Sequence, residues 1–285
     1  MPKFKEKFYA GVMGYPVSHS WSPRIFSHLS RILDHPFDYR LIEVEPKNLE
    51  KSIQAIRAFQ WVQGWNVTIP YKEELFSRVD RLSPEAQAVG AINVVHLSRD
   101  GLLWGHNTDV FGVLKTLEEQ KLKICGKPSV IFGAGGAALA VGYVLGKLKA
   151  SQVWMVNRTA ARATLQAKRL QKLFPFTIFH SATEVPAQFE APPALYVNST
   201  PLGMQGFPRK SLLPKKTQGD AFAFDLVYRP ANTPFLRAAQ KQGLPHVGGV
   251  DMLLWQALAS WEIWVGKIPQ IQKVKDELKQ EFVTR

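Results

Sequence analysis

"PSVIFGAGGAALAVGYVLGKL", residues 128–148, decides the fold. A short apolar run with β-branched residues at its centre meets a cluster of glycines, and a stretch rich in Ala, Val and Leu follows. Strand, glycine turn and helix, succeeded by a second strand in "QVWMVN" (152–157), make one βαβ unit. Gly133, Gly135 and Ala138 stand as G-x-G-x-x-A. The first glycine makes the tight turn, the second lets the backbone approach a pyrophosphate, and the third position allows the helix to pack closely on the strand. Alone the string is weak, but between a strand and a helix it points to dinucleotide binding rather than to a merely structural turn.

Where the second strand ends, an NAD-binding protein usually offers Asp or Glu to the ribose hydroxyls. Here the sequence is "VNRTAARA" (156–163), with Arg158 and Arg162 in place of the acid. Guanidinium groups hold a 2′-phosphate that a carboxylate would repel, which favours NADP over NAD. The alternative is that both arginines are solvated residues at a helix start.

Working outward, further strands are expected at "FTIFH" (176–180), "ALYVNST" (194–200), "AFAFDLV" (221–227) and "PHVGG" (245–249). They should alternate with helices, one of which opens at "NTPF" with Pro234 in its first turn. Upstream, "FYAGVMG" (8–14), "DYRLIEVE" (38–45) and "GWNVTIP" (64–70) read as strands separated by the helix-like "SPRIFSHLSRIL" (22–33) and "PKNLEKSIQAIRAF" (46–59). "AINVVHL" and "LLWGHN", split by "SRDG", read as a hairpin before a helix starting near Thr108 or Asp109. Residues 250–285 read as two helices. The fold class is therefore α/β, with two halves of similar size and mainly parallel strands that invite a cleft between them.

The 285 residues are 46% hydrophobic, an ordinary globular composition. The charged start and the shortness of the longest apolar stretch, "AALAVGYVLG", argue against a signal peptide and a membrane span, so a cytoplasmic protein is expected. Cys125 is the only cysteine, which leaves no intrachain disulfide and no cysteine zinc site, and no metal site is expected. Residues 126–249 hold 15 Lys/Arg against 4 Asp/Glu, so nearly all of the net charge of +13 lies there. A basic half suits an anionic partner or is simply a solvated surface. The aromatic residues are not interleaved with the basic ones as a single-strand nucleic-acid platform requires.

Several residues in the other half carry chemistry. Ser20 and Ser22 precede Pro23 at a helix start, where serine hydroxyls serve either as an N-cap or as a carboxylate site. Asn66, Thr68 and Asn93 lie in or beside strands as core polar groups or ligands. Asp109 is a cap or first-turn acid, and Gln256 interrupts a Leu- and Trp-rich helix. Lys72 is the oddity: it falls in what should be the first turn of a helix, where the macrodipole disfavours a cation.

In chain order, "GYPVSHSWSP", "GWNVTIPYK", "AVGAINVV", "GHNTD", "GAGGAA", "VNRT", "VNSTPLGM", "DLVYRP..TPF" and "GGVDMLLWQA" make the whole chain similar to the shikimate dehydrogenase family. The resemblance implies NADPH-dependent reduction of 3-dehydroshikimate to shikimate, between a substrate domain (1–108 with 250–285) and a Rossmann-type dinucleotide-binding domain (109–249). It implies Lys72 and Asp109 as the catalytic pair and Ser20 and Ser22 at the substrate carboxylate. Asn66, Thr68, Asn93 and Gln256 would surround the ring hydroxyls, and Tyr228 would reach the substrate from the cofactor domain. Gly133, Ala134, Gly135, Gly136, Ala137, Asn157, Arg158, Thr159, Arg162, Thr200 and Gly249 would bind NADP(H). The expected partners are a small-molecule substrate, with neither nucleic acid nor membrane, for a monomer or homodimer. Phe26, Val94 and Asp251 depart from the family's usual histidine, threonine and glycine. These departures leave open quinate as a second substrate or a slower paralogue, while the non-enzymatic alternative, a dinucleotide-binding sensor without chemistry, is opposed by the presence of Lys72 and Asp109.

Overall fold

The computed structural model describes residues 6–59 and 62–283. The chain divides into two compact units, Met1–Gly112 with Leu254–Arg285, and Val113–Leu253.

The first unit opens with β1 (Phe8–Gly14), α1 (Ser22–Ile32), β2 (Phe37–Glu43), α2 (Leu49–Phe59) and β3 (Gly64–Val67). β1 lies between β2 and β3 and pairs parallel with both, so its residues from Ala10 to Gly14 are buried. α1 turns Ile25, Phe26 and Leu29 inward, a helical spacing that covers the sheet with one apolar face. The short β4 (Arg81–Leu82) and α3 (Pro84–Val89) precede an antiparallel hairpin of β5 (Val94–Leu97) and β6 (Leu103–His106), and α4 (Asp109–Glu119) follows. The strand order is β2-β1-β3-β5-β6-β4, parallel at the β1 end and antiparallel around β5. β4 and α3 are two and six residues long, too short for periodicity, although Ser83, Pro84 and the left-handed Gly90 mark the ends of α3.

The strand expected through Pro70 ends at Val67. The Tyr71 N–H donates to the Thr68 carbonyl at 2.9 Å, closing a turn, and Pro70 has no N–H for a ladder. The α-helix expected after it does not form: residues 71–74 are turns, followed by a single 3-10 turn, Leu75–Ser77. Lys72 therefore stands at no α-helix start, and the macrodipole does not account for it.

The second unit is built of β7 (Ser129–Phe132), α5 (Gly136–Lys147), β8 (Gln152–Val156), α6 (Ala160–Leu173), β9 (Ile178–Ala182), β10 (Leu195–Asn198), β11 (Phe222–Asp225), α7 (Pro234–Lys241) and β12 (His246–Val247). All six strands are parallel in the order β12-β11-β10-β7-β8-β9. That is the Rossmann order, with its switch point between β7 and β10. The expected alternation with helices fails on both sides of β10, where residues 183–194 and 199–221 contain none. Pro186, Pro192, Pro193, Pro201, Pro208 and Pro214, with Gly203, Gly206 and Gly219, keep these connections irregular.

α8 (Val250–Trp264) and α9 (Ile271–Val283) complete the chain. The Trp264 indole donates to the Val95 carbonyl at 3.0 Å and lies against Gly64, where any β-carbon would collide with the ring. Among the described residues no helix is long and apolar enough to cross a membrane.

Asp225 ends β11 with no solvent exposure, and burial pushes its carboxyl up to about 6 despite donors from Val227, Asn198 and Thr233. A folded pKa above the unfolded value of about 3.9 means that the native state binds more protons between these limits. The contribution of Asp225 to stability is thus greatest below pH 4 and falls as the pH rises through 6. Denaturant unfolding of wild type and Asp225→Asn from pH 4 to 7.5 should show this in the difference between the two. Relative to the variant, wild type should lose on the order of 2–3 kcal/mol across the range.

Candidate active site

In the first unit one carboxylate gathers the polar side chains. Asp109 lies in the first turn of α4, where the helix N-terminus favours an acid. Asn107, just before it, accepts from the Val110 N–H at 3.2 Å and caps the helix. One oxygen of Asp109 accepts from Lys72 Nζ at 2.5 Å and the other from Asn93 Nδ2 at 2.9 Å. The Asp109 side chain is 5% exposed and that of Lys72 21%, so the pair is reached by solvent chiefly at the lysine. The carbonyl of Lys72 accepts from the Ile92 N–H at 2.8 Å, which moors its turn beside the segment that carries Asn93.

Asn93 is the hub. Its Oδ1 accepts from the Thr108 N–H at 2.7 Å, and its Nδ2 also reaches Thr108 Oγ1 at 3.0 Å and Gln256 Oε1 at 3.5 Å. Asn66, on β3, donates to the Asn93 carbonyl at 3.3 Å and to Ser260 Oγ at 3.0 Å, and accepts from the Tyr39 hydroxyl at 2.6 Å. The Tyr39 ring stacks on Phe26 with centroids 4.3 Å apart, so Phe26 serves as core packing under the polar layer. A buried ammonium–carboxylate pair with one solvent-facing side, walled by fixed amides, can hold a hydroxylated ligand and exchange a proton with it.

The family model for the shikimate dehydrogenase substrate binding domain matches residues 12–95, and that for the shikimate 5′-dehydrogenase C-terminal domain matches 249–279. A shikimate dehydrogenase (NADP(+)) of Carboxydothermus hydrogenoformans is 36% identical over 93% of this chain and 94% of its own. The chain belongs to the shikimate dehydrogenase family. Among solved structures, a shikimate dehydrogenase in complex with NADP+ superimposes with a TM-score of 0.86 at 29% identity, covering 99% of this chain and 100% of that one. The shikimate 5-dehydrogenase of Thermus thermophilus, in complex with NADP(H) and shikimate, gives 0.78 at 32% identity, with 96% and 99% covered.

Measured against the family's expected residues, the structure brings together Lys72, Asp109, Asn93, Asn66 and Gln256. Ser20 and Ser22 form a separate pair, with their hydroxyls 3.2 Å apart. The N-cap expected at Ser22 is not there: Ser22 is the first helical residue, Trp21 precedes it without a side-chain cap, and Ser20 Oγ accepts the Ser22 N–H at 3.2 Å. Thr68 lies against Gly14, where a β-carbon would overlap Thr68 Cγ2 and Val17 Cγ1, and among the described residues no hydrogen bond joins it to the serine pair. Tyr39, Thr108 and Ser260 also belong to the polar cluster; Tyr39 and Ser260 carry no motif, and Thr108 stands in the sequence only as a helix start.

In the second unit Gly133 has φ +115° and donates to the Val156 carbonyl, joining the glycine turn to the end of β8. Gly135 caps α5 in an extended conformation, without a side-chain cap and with no acid in the first turn, so the helix N–H groups of Gly136 and Ala137 suit a phosphate. Arg162 Nε donates to the Ala134 carbonyl at 3.0 Å, and Asn157 Nδ2 to the Thr159 carbonyl at 3.0 Å, while Arg158 is exposed. These residues fit a bound dinucleotide with a phosphate at the β8 end. Thr200 adjoins the Gly133 turn. Gly249 packs on the Leu226 carbonyl, and Tyr228 lies in the loop after β11.

Replacing the hub should be costly. Asn93→Ala leaves the Thr108 N–H and Asp109 short of partners in a buried layer, and should lower the unfolding free energy by about 2–4 kcal/mol in denaturant titration.

Proposed function

We propose that the protein interconverts 3-dehydroshikimate and shikimate with NADP(H), and that it does so in the cytoplasm, where both reactants dissolve. The observation that carries this reading is the Lys72–Asp109 pair held by Asn93, in a chain whose relatives are named for this reaction. The reduced nicotinamide, when bound by the second unit, supplies a hydride to a carbonyl carbon. Lys72 then donates a proton to the carbonyl oxygen, where alkoxide charge develops, and so stabilises the transition state more than the ground state. Asp109 orients the lysine and accepts from a substrate hydroxyl. In the reverse direction the same oxygen returns its proton to Lys72.

Substrate orientation follows from the other groups. Ser20 and Ser22, with N–H groups at the start of α1, would take the carboxylate. Gln256 would bind a ring hydroxyl beside Asn93, whose amide is engaged by Thr108, Asp109 and Gln256 and holds these groups in place. Asn66 is held by Tyr39, Ser260 and the Asn93 carbonyl, so its part is to set Asn93 rather than to lead in binding. On the cofactor side, exposed Arg158 would pair with the 2′-phosphate, and Arg162 is anchored where it stiffens the glycine turn.

Steady-state kinetics with shikimate and quinate, each against NADP and NAD, test the reading. Shikimate with NADP should give the highest kcat/KM, and an enzyme inactive with both acids would refute it. Lys72→Ala should lower kcat by about 10²–10⁴ while KM moves little, as expected for loss of a general acid–base group. Arg158→Ala should weaken NADP by about 10- to 150-fold and leave NAD nearly unchanged, the loss of one charge-assisted hydrogen bond of roughly 1.5–3 kcal/mol.

A further inference from the structure

At the carboxyl ends of β10 and β11 a single buried carboxylate ties two loops together. Asp225 Oδ1 accepts from the Val227 N–H at 3.0 Å and from Asn198 Nδ2 at 2.9 Å. Its Oδ2 accepts from the Thr233 hydroxyl at 2.5 Å, and Thr233 in turn caps α7 by accepting the Leu236 N–H at 3.2 Å. Asn198 passes the constraint on. Its Oδ1 accepts from the Thr200 hydroxyl at 2.6 Å and the Thr200 N–H at 3.1 Å, and its Nδ2 reaches the Leu202 carbonyl at 3.2 Å. The two loops also touch, because the Gln205 N–H donates to the Arg229 carbonyl at 3.2 Å.

The first loop abuts the glycine turn. A β-carbon built on Gly133 would stand 2.6 Å from Ser199 Oγ and 3.3 Å from Thr200 Cγ2, and Ser199 Oγ donates to the Phe132 carbonyl at 2.6 Å. Any shift of residues 199–202 is therefore felt at the turn that would receive a pyrophosphate. We propose that Asp225 is a positioning residue for dinucleotide binding: through Asn198 it sets the loop of residues 199–204 against Gly133, and through Val227 and Thr233 it sets the loop that bears Tyr228. The inference rests on the reading of the second unit as the NADP site.

A carboxylate suits this task because it accepts three donors arriving from separate segments. An apolar residue of the same shape would avoid the desolvation cost but would direct none of them. Asparagine has a single acceptor oxygen, so Asp225→Asn cannot accept from all three donors and weakens the network without changing its volume. Asn198→Ser severs the link to Thr200 while leaving the Val227 and Thr233 contacts of Asp225 in place.

The test is NADP(H) binding followed by fluorescence with wild type, Asp225→Asn, Asn198→Ser and the double variant, each checked for cooperative unfolding. Each single substitution should weaken NADP about 10-fold, with the KM for shikimate unchanged in Asn198→Ser, which leaves the Tyr228 loop held, and the double variant should lose little more NADP affinity than the worse single one, since both cut one network. Folded Asp225→Asn with wild-type affinity would overturn the proposal, as would a double variant whose losses multiply to about 100-fold. If Asp225→Asn does not fold, Asn198→Ser decides alone, with unchanged affinity again overturning it. Wild type that binds no NADP would remove the cofactor reading itself, and the inference with it, whereas wild type that binds while the variants bind equally well removes the inference only.

Discussion

A carboxylate with almost no exposure needs a counter-charge and donors for both of its oxygens, and the first unit is arranged around meeting that need for Asp109. Lys72 supplies the charge from the turn after β3, Asn93 supplies the second donor from just before β5, and Asn107 starts the helix that carries the acid. Pairing of β3 with β5 sets Asn66 opposite Val94, next to Asn93. α8 then contributes Gln256 and Ser260 from the far end of the sequence. None of these groups could be moved far without leaving a buried polar atom unpaired, so the site and the stability of its unit share one network.

This arrangement also explains the lysine that seemed misplaced. Its turn never becomes an α-helix, so there is no helix N-terminus to repel it, and its partner is a residue 37 positions later. The local rule was sound, but its premise about secondary structure was not. The same holds for Ser22, where the serine that engages a helix N–H is Ser20, two residues before the predicted cap position.

The sequence made plain what depends on short-range chemistry. The glycine turn, the strand before it, the Pro-marked start of α7 and the β5–β6 hairpin all follow from local composition, and the structure has them. What stayed hidden depends on distance in the chain or on the absence of pattern. Tyr39 and Ser260 join the site through contacts 27 and 194 residues away, and neither carries a motif. β4 and α3 are too short to show periodicity, and the helix-free connections around β10 betray themselves only by their prolines and glycines. Family resemblance pointed to Lys72 and Asp109 as the proposed catalytic pair, whereas the geometry shows Asn66 held by Tyr39, Ser260 and the Asn93 carbonyl.

The two units also differ in how they carry charge. In the first, the ammonium and carboxylate of the proposed catalysis are paired with each other and largely sheltered, so their interaction is screened little by salt. In the second, the basic excess of residues 126–249 lies on side chains such as Arg158 that face water, where attraction to a phosphate is long-ranged but readily screened. Capture of a multiply charged dinucleotide benefits from the second arrangement, because an exposed field acts before contact. Proton transfer needs the first, because a donor must be fixed at one atom. In the proposed reading a single chain meets both demands, with exposed Arg158 at the end of β8 for the anion and, for the proton, a sheltered pair whose charges cancel.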